Sequence, residues 1–304
     1  MKKLLISIVI LNYNKPKETL KSIKSLLNQT YSNFEIIVVD DASSDNSVQL
    51  VKKTYPSVKL ISLKKSKGRS AHNIGLKKAK GDILVIMDSD MYASKNFLLK
   101  IAEKFNKYPS LDSLAFNLKD PSRKTVGWQP VYDPKDMLGE GFRCSSGFPT
   151  MRKSMFKKVG GYNPKIFLYV DEWEYFIRIL KAGYKSYYFS DIIAYHTSPE
   201  TPYKPIMRGY HVVKNHLQIY ALYLPVTVWF RFLNHHTKEF SRVISKGTAN
   251  RWGTIKGLFT GIWFFLKALP DRDVLRGENL DDFMKFYFPQ KGEVIVTKWG
   301  WKKE

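Results

Sequence analysis

The chain has 304 residues, enough to bury a full core in one large α/β domain or in a domain with a substantial appendage. Its single cysteine, Cys144, excludes an internal disulfide framework and a cysteine-based zinc cluster, so we expect a reducing cytoplasm. The formal net charge of +23 predicts an anionic partner: nucleic acid, a phosphorylated substrate or an acidic lipid.

The N-terminal part of the sequence alternates strand and helix patterns. The apolar run from Leu4 to Leu11 predicts a first strand rather than a secretory signal, because no small-residue cleavage pattern follows it. Leucine and isoleucine then recur at helical spacing behind Pro16, and a second apolar run, FEIIVVDD, comes next. These segments predict a βαβ unit.

The same alternation continues to about residue 118. A helix around Val51, the strand VKLISL, a helix from about Ser70 to Gly81 and the strand ILVIM follow in turn. A helix that ends before Pro109 and a strand at LDSLAFNL complete the series. Because uniformly apolar strands are covered on both faces, we expect a mostly parallel, Rossmann-like sheet with helices on both sides.

The pattern is less regular after this series. From Lys119 to Cys144 periodicity fades and Gly and Pro accumulate, which predicts a long active-site loop or an irregular crossover. A short helix then ends at Gly160, and the next helix, DEWEYFIRILKAGY, begins with acids and ends at Gly183. Two short strands, KSYYF and IIAYH, are expected to follow.

The composition changes again after residue 200. Residues 201–270 contain ten Lys or Arg, thirteen aromatic residues and one acid, Glu239. Each apolar run is about a dozen residues long, short of the roughly 20 that a membrane span needs. Basic, aromatic helices on an anionic membrane surface fit this composition, and a helical cap on the core or a dimer interface fits it equally.

Polar side chains follow three of the predicted strands. In an open sheet of this kind ligands bind at the carboxyl ends of the strands, so we expect these side chains to line one cleft. Residues two apart on an extended segment face the same side, which brings two carboxylates into one space where they repel unless a cation lies between them. Oxygen ligands without cysteine select Mg²⁺ or Mn²⁺, and such an ion implies a diphosphate substrate. The residues are Asn12, Tyr13, Asp40, Asp41, Asp88 and Asp90.

Five segments, in this order, resemble the inverting family 2 glycosyltransferases of the GT-A fold: SIVILNYNKP, IIVVDDASSDNS, GRSAHNIG, GDILVIMDSD and VDEWEYFIRILKAGY. The resemblance covers about residues 4–198. It implies a metal-dependent transfer of sugar from a UDP-, GDP- or dTDP-sugar to a hydroxyl or phosphate of a glycan, polysaccharide or lipid-linked acceptor. We therefore expect a GT-A catalytic domain at 1–200, with its nucleotide-sugar half at about 1–118 and its acceptor half at about 119–200. A C-terminal helical region would occupy 201–304.

The resemblance also implies roles for individual residues. Asp90 would bind Mn²⁺ or Mg²⁺ directly, Asp88 would contact ribose or a metal-bound water, and His196 is a further candidate ligand. His72 stands where the family has Arg, which leaves the diphosphate contacts of Arg69 and His72 open. The residues placed around the nucleotide sugar are Asn12, Tyr13, Asp40, Asp41, Asn73, Asp88 and Ser89.

The family's catalytic base is the Asp of a Glu-Asp pair that opens a helix six residues before an Arg. Counting back from Arg178, this chain has the reversed pair Asp171 and Glu172. Register favours Glu172 as the base and residue type favours Asp171; acids that complement the helix dipole are the structural alternative. The acceptor side is assigned to Ser146, Gly147 and Phe148, with Trp173 as a sugar-stacking or core residue.

Motifs typical of other classes of protein are missing from this sequence. The loop after the first strand, ILNYNKPKET, contains no glycine, so the glycine-rich loop of a nucleotidyltransferase and the dinucleotide fingerprint of an oxidoreductase are both missing. A nucleic-acid-binding protein is suggested by the charge alone, since no recognised motif accompanies it, and we expect no nucleic-acid partner. The enzyme is expected in the cytoplasm or peripherally on the inner face of the membrane.

Overall fold

The computed structural model describes residues 2–121, 131–145, 150–197, 205–245 and 250–288. Strands and helices alternate in the first part of the chain, as the sequence predicts. The elements are β1 (Ile6–Asn12), α1 (Pro16–Leu27), β2 (Phe34–Asp40), α2 (Ser47–Thr54), β3 (Lys59–Ser62), α3 (His72–Lys78), β4 (Ile83–Asp88), β5 (Met91–Ala93), α4 (Phe97–Lys107) and β6 (Ser113–Lys119).

The second part adds strands and then four long helices. In chain order these elements are β7 (Tyr132–Leu138), β8 (Gly141–Cys144), β9 (Thr150–Arg152), α5 (Lys153–Val159), α6 (Asp171–Lys181), β10 (Ser186–His196), α7 (Pro205–Tyr223), α8 (Val226–Ser245), α9 (Arg251–Ala268) and α10 (Gly277–Tyr287). The expected helical C-terminal region is therefore confirmed.

The described strands form one mixed sheet in the order β3-β2-β1-β4-β9-β6-β10-β8-β7, and β5 pairs with β10. Strands β1 to β4 run parallel to one another, and β10 runs parallel to β6. The short strand β9 lies antiparallel between β4 and β6. The arrangement confirms the expected Rossmann-like α/β architecture, with its parallel part at the N-terminal half.

Alternating residues of the central strands build the core on both faces of the sheet. Ile8 and Ile10 of β1 pack on the face covered by α1 and α4, whereas Val9 packs on the opposite face with residues of α3, α5 and α6. All three side chains are fully buried. Helices on both faces explain why these strands carry no polar alternation.

Two sequence expectations for the second part are wrong. The segment from KSYYF to IIAYH forms one strand, β10, whose pairing with β6 shifts register between Phe189 and Ile193. The sequence predicts two strands because the polar residues Ser190 and Asp191 at this shift resemble a turn. Within 119–144, which was expected to be an irregular loop or crossover, β7 and β8 form an antiparallel pair.

Helices α6, α7, α8 and α10 share a second hydrophobic core. Phe176 of α6 packs against Phe286 of α10, and Phe232 of α8 stacks on Phe283. In the described ranges, no helix combines the length and the apolarity that crossing a membrane would require.

Candidate active site

The register of the parallel strands brings the predicted polar residues to one edge of the sheet. Asn12 at the end of β1 lies opposite Asp40 at the end of β2, and Leu11 lies opposite Asp88 at the end of β4. On the other side of β4, the pairing of β10 with β5 sets His196 opposite Met91. Strand pairing alone therefore gathers residues that are up to 184 positions apart, from Asn12 to His196, around one cleft.

Asn12 and Asp40 form a buried hydrogen-bond network at this edge. Asn12 Nδ2 donates to Asp40 Oδ2 at 2.7 Å, and the Thr19 hydroxyl donates to Asn12 Oδ1 at 2.7 Å. Ser43 donates to Asp40 from both its backbone N–H and its hydroxyl. The network fixes the loops after β1 and β2; the half-buried Tyr13 belongs to the first of them. Contacts of Asn12, Tyr13 and Asp40 with a nucleoside stay a prediction.

Asp41 holds the loop that leads to Arg69. Its carboxylate accepts hydrogen bonds from the Ser66 hydroxyl at 2.5 Å and from the backbone N–H groups of Lys67 and Gly68 at 2.7 and 2.9 Å. Gly68 adopts φ +58°, and a Cβ there would lie 2.0 Å from the carbonyl oxygen of Phe167. Asp41 and Gly68 together position the residue that follows.

Arg69 connects the end of β4 with the start of α6. Its Nη1 donates to Asp88 Oδ1, and its Nε donates to Asp171 Oδ2 at 2.9 Å. Burial alone lowers the pKa of Arg69, but the two carboxylates more than compensate and raise that pKa well above its ordinary value. Arg69 therefore stays charged between the predicted donor and base sides of the cleft.

Asp90 is surrounded by positive groups. Lys15 Nζ lies 2.6 Å from Asp90 Oδ2, and His196 Nε2 lies 3.4 Å from Asp90 Oδ1. Burial raises the pKa of Asp90, yet the hydrogen bond and charge of His196 and the charge of Lys15 outweigh it and bring that pKa to about 2. Asp90 in turn raises the pKa of His196 against the effect of burial. Asp90 is thus an ionised carboxylate between Lys15 and His196.

The chemistry of this donor set fits a hard divalent ion. Asp90, Asp88 and His196 offer carboxylate oxygens and one imidazole at the same edge, which are groups that Mn²⁺ and Mg²⁺ accept. Among the described residues, however, no three His, Cys, Asp or Glu side chains are grouped closely enough to hold a metal ion. An ion bound at Asp90 would therefore need oxygen ligands that the described side chains do not provide.

The segment before α6 has a strained backbone. Tyr169 and Val170 both adopt φ +63°, in the left-handed region that non-glycine residues seldom occupy. Asn215 of α7, fully buried, donates from Nδ2 to the carbonyl oxygens of Leu168 and Tyr169 at 2.7 and 2.8 Å. This turn directs the first residues of α6 into the cleft.

The two acids that open α6 have different surroundings. Asp171 is buried and paired with Arg69; burial raises its pKa by more than Arg69 lowers it, so the pKa is raised overall. Glu172 is half-buried and makes no ion pair with any described residue. Burial, and next to it the charge of Asp171, raise the pKa of Glu172 from 4.5 to about 7, and Asp88 adds a smaller contribution. Among the described residues, Glu172 is therefore a carboxylate without an ion pair and with a pKa near 7.

Other predicted site residues have structural partners. Asn73 donates to the Tyr162 carbonyl at 2.7 Å and accepts from the Tyr162 N–H at 2.8 Å. Ser89 is buried, and its N–H bonds to the Leu11 carbonyl. Trp173 points away from the acids into an aromatic group with Tyr287, at 4.6 Å between ring centroids. Ser146, Gly147 and Phe148 lie outside the described residues.

Sequence reasoning missed several residues that shape the site. Lys15 and Asn215 carried no motif signal, although Lys15 follows directly on the polar loop after β1. Glu174, one turn into α6, is buried and accepts hydrogen bonds from Arg178 at 2.9 Å and from the Tyr223 hydroxyl at 2.8 Å. Arg178, the residue from which the position of the Asp171–Glu172 pair was predicted, anchors α6 through this hydrogen bond.

Comparison with known proteins finds similarity to glycosyltransferases. The profile of Glycosyl transferase family 2 matches residues 7–173. YwdF of Bacillus subtilis (strain 168), an uncharacterized glycosyltransferase, is 28% identical over 186 residues, which cover 58% of this chain and 68% of YwdF. WfaP of Escherichia coli, a UDP-Glc:alpha-D-GlcNAc-diphosphoundecaprenol beta-1,3-glucosyltransferase, is 40% identical over 91 residues, which cover 29% of this chain and 36% of WfaP.

A solved structure shares the fold. Residues 1–349 of S. aureus TarS, in complex with UDP-GlcNAc, align with a TM-score of 0.60 at 21% identity, over 87% of this chain and 81% of that chain. The chain spans 15% of the length of one curated relative that it matches and 68% of another. Since the family profile covers more than half of the residues and the fold is that of a GT-A enzyme, the chain belongs to glycosyl transferase family 2.

Proposed function

We propose that this glycosyltransferase moves a sugar from a nucleoside-diphosphate sugar to an acceptor hydroxyl in a single inverting displacement, with Glu172 as the general base. The observation that carries the proposal is the contrast at the start of α6, where Asp171 is paired with Arg69, whereas Glu172 has a pKa of about 7 and makes no ion pair with a described residue. A base acts best when its pKa lies near the working pH.

Asp171 suits a supporting role instead. Its Oδ2 is held at 2.9 Å by Arg69, so accepting a proton from a substrate would break a buried ion pair. Its negative charge also raises the pKa of Glu172 and makes Glu172 a stronger base. The spacing from Arg178 in the sequence and the surroundings in the structure both support Glu172 as the base.

Positive groups at the ends of the strands suit a departing diphosphate. Arg69 and Lys15 form ion pairs with Asp88 and Asp90 at the ends of the strands. In the displacement the bond between the anomeric carbon and the diphosphate oxygen breaks, and its electron pair leaves with the nucleoside diphosphate. The acceptor oxygen forms the new bond from the opposite face, and its proton passes to Glu172. The cations stabilise the charge that develops on the leaving group.

A divalent ion belongs to this proposal. Asp90 and Asp88, with His196 as a third candidate, would hold Mn²⁺ or Mg²⁺, and the diphosphate would supply the oxygens that the described side chains lack. Such an ion would neutralise charge on the diphosphate when bound.

For the donor we propose a UDP-sugar, because WfaP is named for UDP-Glc and TarS was solved with UDP-GlcNAc. Asn12, Tyr13, Asp40 and Asp41 would surround the nucleoside from the loops after β1 and β2. The acceptor would be a glycan, a polysaccharide or a lipid-linked glycan such as the one in the name of WfaP. The proposed compartment is the cytoplasm, in keeping with Cys144 as a buried free thiol.

A donor screen tests the reaction. Wild-type protein is incubated with UDP-, GDP- and dTDP-sugars and Mn²⁺, and release of the nucleotide is measured with and without candidate acceptors. We expect UDP-sugars alone to react, and Glu172→Gln to lose nearly all transfer while it still shows a thermal shift with UDP. Full transfer by Glu172→Gln, or loss of transfer in Asp171→Asn alone, would assign the base to Asp171 and overturn the proposal.

A further inference from the structure

Helix α9 packs with its smallest residues inward. Three glycines, one turn apart, face α7: a Cβ on Gly253 would lie 2.1 Å from the carbonyl oxygen of Ile206, and one on Gly257 would lie 2.5 Å from that of Tyr210. At Gly261 the nearest backbone atom is the Cα of Lys214, at 3.1 Å. The backbones of α7 and α9 are therefore in direct contact, so α9 buries hardly any side chain of its own on this side.

The large apolar side chains of α9 point outward. Trp252 is 72% exposed, Phe259 70%, Trp263 51% and Leu266 59%, and their spacing of seven, four and three residues places them in one stripe. The stripe lies opposite the glycines. A helix in water normally has the reverse arrangement, with its large apolar residues against the core.

Helix α8 extends this apolar surface. Trp229 of α8 contacts Phe265 of α9 at 4.8 Å between ring centroids, which holds the first turns of α8 beside the end of α9. From the same turns Val226, Phe230 and Leu233 are exposed, and Phe230 is 82% exposed. We call the outward stripe of α9 together with these three residues the α8–α9 face. Exposed aromatic surface of this kind marks an interaction site.

The charged residues within α9 are all basic. Lys256 and Lys267 are exposed on α9, and Lys267 Nζ lies 3.8 Å from the centre of the Trp263 ring. Arg231 is exposed on α8. The sequence of α9 contains no acid. Aromatic and aliphatic groups flanked by lysine and arginine match the headgroup region of an anionic lipid bilayer.

We propose that the α8–α9 face docks on an anionic membrane surface, with its aromatic side chains in the headgroup boundary and its lysines at the lipid phosphates. A second copy of the chain fits less well, because a self-complementary interface would oppose these lysines to each other with no acid of α9 to pair them, in a protein with a net charge of +23. The docking needs neither donor nor metal, so it stands apart from the proposed chemistry.

Co-sedimentation with vesicles tests the docking. The protein is mixed with phosphatidylcholine vesicles and with vesicles that also contain phosphatidylglycerol, at low and at high salt. We expect sedimentation with the anionic vesicles at low salt only, and a partition coefficient at least about tenfold lower for Phe259→Ser/Trp263→Ser. Lys256→Glu/Lys267→Glu should lose the preference for anionic lipid.

The matched control exchanges two exposed apolar residues outside α8 and α9, in Leu27→Ser/Met137→Ser, and should sediment as the wild type does. Circular dichroism melts confirm that each variant is folded. Absence of wild-type sedimentation, or equal sedimentation of Phe259→Ser/Trp263→Ser, would overturn the proposal. So would a stable dimer in analytical ultracentrifugation that Phe259→Ser/Trp263→Ser makes monomeric. Nucleotide release in solution is measured in parallel, so that failed docking and failed catalysis are told apart.

Discussion

Arg69 donates to Asp171 at 2.9 Å and, through the same guanidinium, to Asp88. One side chain thus joins the end of β4, in the predicted nucleotide-sugar half, with the helix that carries the proposed base. Because the two carboxylates share one cation, a change in either alters the electrostatic field at Glu172, whose pKa responds to all three groups.

The pH dependence of transfer should show the titration of Glu172. The base works when it is deprotonated, so with a pKa of about 7 the turnover number should rise with pH up to about 7 and level off above it. Below about pH 6 we expect a loss of about tenfold for each pH unit. Turnover is measured by nucleotide release under saturating donor. A midpoint near the ordinary value of a glutamate would contradict the assignment.

Two substitutions should move this midpoint in opposite directions. Asp171→Asn removes a charge that raises the pKa of Glu172, so the acidic limb should shift to lower pH. Arg69→Met removes a charge that lowers this pKa, so the limb should shift to higher pH. The readout is the midpoint of the turnover profile rather than its height, which separates the electrostatic effect from loss of donor binding. Shifts in the same direction would refute the coupling.

Stability should depend on pH at the same residue. Burial raises the pKa of Glu172 from 4.5 to about 7, so the folded state favours the neutral acid. Below pH 4.5 the group is neutral in both the folded and the unfolded chain; as pH rises through about 7, the charge is forced into the site and stability is lost. Glu172→Gln should therefore melt about 2 °C or more above the wild type near pH 8, with no gain near pH 4. A variant that is less stable at both pH values would contradict this.

Asn215 should act as a positioning residue. Asn215→Leu leaves the carbonyls of Leu168 and Tyr169 without their donor, a penalty of about 1–3 kcal/mol for each buried group, and loosens the turn that aims α6. We expect turnover to fall about tenfold or more while the KM for donor stays nearly constant. The control is Gln218→Leu, a buried amide of the same helix, which should keep its turnover. Equal losses in both variants would indicate a general packing defect.

Asp90 should carry the metal dependence. Asp90→Asn removes the ionised carboxylate between Lys15 and His196, so Mn²⁺ should no longer increase the thermal shift that UDP produces, and metal-stimulated nucleotide release should be lost. Asp82→Asn, at the other end of the strand that leads to Asp88, serves as the matched control. Full metal stimulation in Asp90→Asn would remove this residue from the metal site.

Much of the fold was predictable because the parallel strands are uniformly apolar. Runs such as ILVIM can only be buried on both faces, and the helices between them carry regular apolar spacing. The short strands β5 and β9 gave no such signal, since three residues are too few for a period. The bulge in β10 was hidden for a different reason: Ser190 and Asp191 resemble turn residues, yet pairing with β6 keeps the strand continuous.

The candidate site was predictable only at the strand ends. Asp88 and Asp90 stand out because acids directly follow a buried strand, and strand pairing brings Asn12 and Asp40 beside them. Lys15 and Asn215 carry no local pattern, because their roles arise from contacts with residues 75 and 47 positions away. The proposal of Glu172 rather than Asp171 as the base likewise rests on the ion pair between Arg69 and Asp171, which the sequence alone does not reveal. The domain boundary at residue 200 stays a prediction.

The match to the family profile ends at Trp173, whereas the contacts of Trp173 and of its neighbour Glu174 extend to later parts of the chain. Trp173 packs on Tyr287, and the buried carboxylate of Glu174 takes a hydrogen bond from Tyr223, so the helix with the proposed base is completed by chain from the last third. A fragment cut after residue 200 would expose this aromatic surface and remove one of the hydrogen-bond donors to the buried Glu174. Expression of residues 1–200 alone should therefore yield aggregated material. Exchanging C-terminal parts between relatives should require matched changes along α6.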